Sequence, residues 1–248
     1  SREEYGGRAS AEFKPKGGLF NFTANIAPRI IYQNFANWSV LTNAKQANPT
    51  TPLMDPENSQ LYYNFQGQVC PWNPVELQKL EKDEGETKLI DMDATAKLNL
   101  LPLLWKADKD CPFTLDTQLT FADHQTGNNK SWFRPSTSTI AINSGREGEA
   151  SREYNNTSQY ILEWLANFGA RFRRNNIKLM LGYSYQYTKY STLFAENKDF
   201  PNDALEYNNL GSGAFAKDEG EVGMSSYKGD NKLISFFGRV SYDYDGKY

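Results

Sequence analysis

The sequence predicts an all-β chain: an antiparallel up-and-down meander of about seven strands, forming part of a transmembrane β-barrel. Three observations predict it. Apolar and polar residues alternate with period two in run after run. Short and long connections between those runs follow one another in strict order. The chain is also 14% aromatic although polar overall, with 15 Tyr and 15 Phe in 248 residues, which a disordered polypeptide would not be.

The runs justify the strands in order. Two weak ones, Tyr5–Phe13 and Leu19–Ile26, predict strands near 4–13 and 18–31. Ile90, Met92, Ala94, Ala96, Leu98 and Leu100 then stand opposite Asp91, Asp93, Thr95, Lys97 and Asn99, in a strand near 87–101. Phe113, Leu115, Leu119 and Phe121 oppose Thr114, Asp116, Gln118 and Thr120 in a strand near 112–124. The clearest run sets Tyr160, Leu162, Trp164, Ala166, Phe168, Ala170 and Phe172 on one face, in a strand near 157–173. Ile177, Leu179, Leu181, Tyr183, Tyr185 and Tyr187 do the same near 176–193, and Ile234, Phe236, Val240, Tyr242 and Tyr244 near 231–245. A helical period of 3.6 would scatter each apolar set around a cylinder, and the aromatic and β-branched content favours strands.

Short turns are expected at Lys14–Gly18, near Pro112 and at Arg173–Asn176; long polar stretches occupy about 33–87, 123–157 and 197–230. Alternating strands put every long connection at one end and every short turn at the other, the pattern of an outer-membrane barrel with extracellular loops and periplasmic turns. The loop 33–87 carries one helix signal, with Asn73 as N-cap, Pro74 at the first helical position and Val75–Asp83 as helix. Leu162, Trp164, Phe168, Leu179, Leu181, Tyr183 and Phe236 are expected to face lipid, and Glu163, Arg171, Lys178, Gln186 and Arg239 a wet lumen. A soluble sheet with one hydrated face would show the same alternation in any single strand.

Composition narrows the chemistry. The balance of 27 Lys+Arg against 30 Asp+Glu leaves a net charge of -3, so no nucleic-acid partner is expected. No run reaches 18 apolar residues, which excludes a transmembrane helix and leaves a β-barrel open. The single histidine, His124, is read as a solvated or loop-bonded imidazole, and two cysteines, Cys70 and Cys111, cannot make a four-cysteine metal site. On the barrel reading they lie at opposite ends and cannot bond to each other. The acidic run Glu81–Glu86 is read as a solvated loop. No catalytic set, metal site or cofactor is expected, and the chain is not read as an enzyme.

Several stretches then resemble a known family. They are Ala47-Asn48-Pro49-Thr50, Asp55-Pro56-Glu57-Asn58, Asn73-Pro74-Val75-Glu76 and Gly148-Glu149-Ala150-Ser151-Arg152-Glu153-Tyr154. Further on come Leu181-Gly182-Tyr183-Ser184-Tyr185-Gln186, Phe200-Pro201-Asn202-Asp203-Ala204-Leu205, Tyr207-Asn208-Asn209-Leu210-Gly211 and Lys232-Leu233-Ile234-Ser235-Phe236-Phe237-Gly238-Arg239-Val240. In order and spacing they resemble the barrel of SusC/RagA-type TonB-dependent transporters from the outer membrane of Bacteroidetes. The resemblance implies a fragment of a 22-stranded barrel, without its plug domain. It also implies energised import of an oligosaccharide or peptide nutrient, a SusD-type surface lipoprotein as lid, TonB acting through the missing plug, and outer-membrane lipid around the wall.

Sugar rings present apolar C–H faces on which aromatic side chains stack. The long connections hold Trp38, Tyr62, Tyr63, Phe65, Trp72 and Trp132, whose ordinary role would be packing. Trp38, Trp72 and Trp132 are the candidates for ligand or lid contact, because binding residues concentrate on loops held by a rigid scaffold. A secreted soluble glycan-binding or glycan-cleaving β-domain, or a simple porin, are the competing readings.

Overall fold

The computed structural model describes residues 1–35, 37–104, 111–214 and 223–246. They form one antiparallel 8-stranded sheet: β1 (Arg2–Gly6), β2 (Ala9–Phe13), β3 (Phe20–Asn34), β4 (Lys82–Asn99), β5 (Phe113–Arg134), β6 (Glu149–Phe172), β7 (Asn175–Lys198) and β8 (Met224–Tyr244). Every strand from β3 to β8 pairs with its sequence neighbour. Among the described residues four short α-helices lie in the connections: α1 (Trp38–Gln46), α2 (Pro74–Leu80), α3 (Leu101–Leu104) and α4 (Thr139–Asn143).

The expected first strand near 4–13 is present but split. β1 and β2 keep a single register on β3, with Gly6 opposite Arg29 and Ala9 opposite Ile26. Between them Gly7 N–H donates to the Pro28 carbonyl at 3.1 Å, and Pro28 has no N–H to return. The ladder loses one bond there and resumes. Proline is tolerated because its nitrogen faces β1 and β2 at the border of the described sheet, and its carbonyl still accepts.

From β3 to β8 the register runs without a bulge. β6 and β7, 24 residues each, pair from Glu149 and Lys198 to Phe172 and Asn175. Side chains opposite one another share a face, so parity carries across the wall. Leu162 stands beside Tyr185 and Phe121, Trp164 beside Tyr183 and Leu119, and Tyr183 beside Phe236. Trp164 and Arg171 point to opposite faces, as the sequence predicts. Leu119, Phe121, Leu162, Trp164, Phe168, Leu181 and Phe236 are all exposed, Phe236 to 80%. The accessible surface is 16577 Å², against roughly 11,000 Å² for a compact soluble chain of this mass. Part of the excess is the apolar face, on which nothing is packed.

Strand ends depart from expectation. β4 starts at Lys82, β5 runs on to Arg134, β6 starts at Glu149, β7 continues to Lys198 and β8 starts at Met224. The connections expected at 33–87, 123–157 and 197–230 therefore shrink to 35–81, 135–148 and 199–223, of which 215–222 lie outside the described residues. Beyond Tyr160 and Tyr187 the apolar alternation stops while the ladder continues, with Asn128 opposite Asn155 and Gly127 opposite Asn156. Backbone bonds and cross-strand polar pairs sustain strands there that hydrophobic periodicity cannot reveal. The acidic run Glu81–Glu86 is accordingly mostly strand. The expected helix stops at Leu80 instead of Asp83, with Asn73 Oδ1 accepting from Val75 and Glu76 N–H at 3.1 and 3.4 Å. α1, capped by Asn37, and α4, capped by Ser138, lack an apolar stripe long enough to read.

All three long connections leave the same end of the sheet, since β3, β5 and β7 all finish there.

Pro28→Ala should restore the missing bond and join β1 to β2. The new amide at residue 28 should exchange as slowly as the rest of β3, and the amides of Gly6–Ala9 should slow; unchanged exchange at Gly6–Ala9 would show that another cause splits the strand.

Candidate functional site

The long-connection end is built from polar locks. Glu76 of α2 is 1% exposed, and its two carboxylate oxygens accept from Thr139 N–H and Thr139 Oγ1–H, both at 2.5 Å. An acid of α2 thus completes the N-terminus of α4, where unpaired N–H groups favour negative charge. Asn73 Nδ2 donates to the carbonyls of Leu53 and Tyr63 at 3.2 and 3.3 Å, and the amides of Asn64 and Asn143 exchange bonds at 2.6 and 3.0 Å. The buried Cys70 thiol donates to the carbonyls of Asn43 and Trp72 at 3.2 and 3.1 Å. Segments 35–81 and 135–148 are therefore one cap.

The cap is tied to the wall by Arg134, the last residue of β5. Its Nε and Nη2 reach Glu81 Oε1 at 2.8 and 2.7 Å, and its Nη1 reaches Glu149 Oε2 at 2.7 Å. Asn37 Nδ2 holds the other Glu81 oxygen at 2.7 Å. The guanidinium carbon lies 4.8 Å from the centre of the Trp132 ring. On the same polar face the Phe35 ring covers Gly85, where a Cβ would stand 2.6 Å from it, and Lys130 Nζ lies 4.9 Å from that ring. A larger residue there would require the Phe35 ring to move.

The segment after β7 folds back over the opposite face. Phe200, Tyr207 and Leu210 pack on Phe133 and Ala150, which share the parity of the apolar band. Tyr207 O–H donates to Glu84 Oε2 at 2.8 Å; that carboxylate, helped by partial burial, pushes the phenol up to about 12, so it remains a donor at neutral pH. Asn197 Nδ2 bonds the carbonyls of Leu210 and Gly213 at 2.9 and 2.8 Å, and Asp203 accepts from Ser136 N–H and O–H. The wall is gripped from both faces above the apolar band.

The three tryptophans are not brought together, and no ring contact joins them among the described residues. Trp38 opens α1 and is 80% exposed. Trp72 is half-buried beside the N-cap of α2. Trp132 is corrected from loop to strand: it sits in β5 opposite Asp83 and Ser151, on the polar face beneath Arg134. Phe65 is buried in edge contact with Tyr63 at 5.9 Å, so these two rings pack the cap. His124 lies inside β5, its Nδ1 2.8 Å from Asp91 Oδ1. Cys70 is buried in the cap and Cys111 borders the other end; both are free thiols. Sequence reasoning missed Glu76 and Arg134, although Asn73-Pro74-Val75-Glu76 holds a cap residue and an acid three positions on.

At the short-turn end the polar face holds an open groove of about 1020 Å³, bordered by Arg171, Lys178, Arg239 and Asp116. Asp116 accepts from Asn167 Nδ2 at 3.0 Å. No group of three or more His, Cys, Asp and Glu is placed to hold a metal among the described residues.

Glu76→Ala should leave both Thr139 donors unpaired, at a cost of ~1–3 kcal/mol local to the cap. Limited proteolysis should open 135–148 while the strands stay protected. Unchanged cleavage of that segment would show that the Glu76 bonds do not hold the cap.

No protein-family model matches the chain. In sequence it is 36% identical over 116 residues to TonB-dependent receptor P3 of Formosa agariphila, a stretch that is 47% of this chain and 11% of that protein. In fold it matches the RagAB peptide transporter with a TM-score of 0.65 at 15% identity, over 99% of this chain and 26% of that one. The RagAB peptide importer in its closed-closed and open-open states matches with TM-scores of 0.66, at 14% and 15% identity, again over 98% of this chain and 26% of that one. The chain thus spans about a tenth of the curated relative and a quarter of the solved chains. The resemblance carried by its residues is met twice, in sequence by a TonB-dependent receptor and in fold by a stretch of the RagAB barrel wall.

Proposed function

We propose that the chain is a segment of the wall of an outer-membrane TonB-dependent importer, with its long connections on the extracellular side. The observation that carries this reading is the two-faced sheet: an exposed apolar band on one face, a polar face opposite, and one register throughout. The band of β6 runs from Tyr160 to Phe172, 13 of its 24 residues. At ~3.3 Å per residue and a tilt of ~40°, that spans about 30 Å across a bilayer, the thickness of the hydrocarbon core. Tyr160 and Tyr187 stack at its upper border, rings 6.5 Å apart, as interfacial aromatics do. Within the band Trp164 Nε1–H is satisfied by Thr117 Oγ1 at 2.8 Å, which lipid requires. A soluble glycan-binding domain has no use for such a face, and the likeness to a TonB-dependent receptor speaks against a simple porin.

The role is transport and not catalysis. The imported nutrient is of the oligosaccharide or peptide class, and the likeness to the RagAB peptide transporter favours a peptide. A SusD-type lipoprotein would sit on the cap as a lid, and TonB would act through a plug domain that this stretch does not contain. Among the three tryptophans, Trp132 is best placed for cargo, on the polar face at the mouth, while the exposed Trp38 faces away from any packing and suits the lid.

Leu181→Arg and Met180→Arg place the same charge on the two faces of one strand. In the full-length receptor Leu181→Arg should lose outer-membrane assembly, at ~2–4 kcal/mol for a cation near the bilayer centre, while Met180→Arg assembles. Equal assembly of both would overturn the membrane reading.

Trp132→Ala should lower nutrient uptake by the assembled receptor, and Trp38→Ala should weaken lid affinity instead. Normal uptake and lid binding in both variants would leave these rings only a packing role.

A further inference from the structure

We propose that Lys189 of β7 with Lys232 and Lys228 of β8 form a binding site for the phosphate groups of membrane lipid. The inference rests on the membrane reading above and goes beyond it in naming a ligand. Lys232 stands opposite Tyr187, which itself stands opposite Tyr160, so it lies on the rung where the apolar band ends. Lys189 is opposite Ser158 and Asp230, one same-face step higher, and Lys228 is opposite Ser191, one step higher again. All three share the parity of Trp164, Tyr183 and Phe236, so they project from the apolar face at the level where hydrocarbon gives way to headgroups.

Their partners distinguish them from the other cations of that face. Lys88 is paired with Glu86 at 2.6 Å, and Arg152 donates to Asn129 at 3.4 Å. Lys189 instead rests over two rings, 5.0 Å from the centre of Tyr187 and 5.8 Å from that of Tyr160, and Lys232 lies 5.3 Å from Tyr187. The rings hold the ammonium groups in place without neutralising them. Asp230 is the one carboxylate between them on these two strands; it faces Lys189 across the ladder and forms no ion pair among the described residues, so three cations and one anion leave a net charge of two. An anionic phosphate at the headgroup level would meet three ammonium donors on two adjacent strands. A soluble anion would have no reason to seek a site continuous with the apolar band, whereas a lipid satisfies both halves, its chains on Tyr183 and Phe236 and its phosphate on the lysines.

The test uses the full-length receptor in nanodiscs of phosphatidylcholine doped with phosphatidylglycerol, reading the anionic lipid retained by native mass spectrometry. Each of Lys189→Gln and Lys232→Gln should reduce retention about fivefold, while Lys178→Gln on the polar face and the ion-paired Lys88→Gln should not. Equal retention by all variants would overturn the site and leave the membrane reading intact. Failure of the unaltered receptor to enter the discs would overturn the membrane reading itself. Displacement of the lipid by inorganic phosphate at matching concentration would overturn the lipid assignment in favour of a general anion site.

Discussion

Everything in this chain depends on one requirement: inside a hydrocarbon layer each backbone N–H and C=O must find its partner within the protein. The register from β3 to β8 meets it without a bulge, and the remaining features follow from that continuity. Because no rung is skipped, a residue's parity fixes its face over the whole wall, and a short alternating sequence becomes a coherent band. The requirement also explains where exceptions are allowed. Pro28 removes one donor only on the side of β1 and β2, where its own carbonyl still serves Gly7. Trp164 carries an indole N–H into the band only because Thr117 receives it.

Above the band water returns, and the source of stability changes with it. The strands run on through Asn128, Asn155 and Thr126 without a continuous apolar band, and besides the small cluster of Phe133, Ala150 and Phe200 the order of this region comes from polar groups that are individually worth little and costly to break. Arg134 joins two acids from different elements, Glu76 completes a helix it does not belong to, and Asn73 spends both ends of its amide on three backbone segments. Breaking any one leaves a buried partner unpaired, so the cap behaves as a unit. Such a platform can present an exposed ring such as Trp38 without collapsing around it.

Legibility in the sequence follows the same division. The wall was readable wherever lipid imposes alternation: Ile90 to Leu98, Tyr160 to Phe172 and Ile177 to Tyr187 all occupy the faces their parity predicts. The strand extensions were not, because at Asn155, Asn156 and Asn128 both faces meet water and the period vanishes. The α2 start was legible from Asn73 and Pro74, since capping is local chemistry. The Glu76–Thr139 lock was not, because it joins residues far apart in sequence and neither residue type signals it. Trp132 was misplaced for the same reason as the β5 extension: it lies in strand that no longer alternates.

This division also accounts for how the chain compares with other proteins. Alternation prescribes a class of residue at each rung and not an identity: Leu, Phe, Trp or Tyr serve equally on the lipid face, and Ser, Thr, Asn or Lys on the other. A wall can therefore keep its course while nearly all of its residues change, which is why the fold agrees over 99% of the chain at 15% identity. The cap is under no such loose rule. Its locks need particular atoms at particular places, so altering one requires the rebuilding of whole segments. Wall likeness thus reports the course of the strands, and the individual character of the chain resides in the cap.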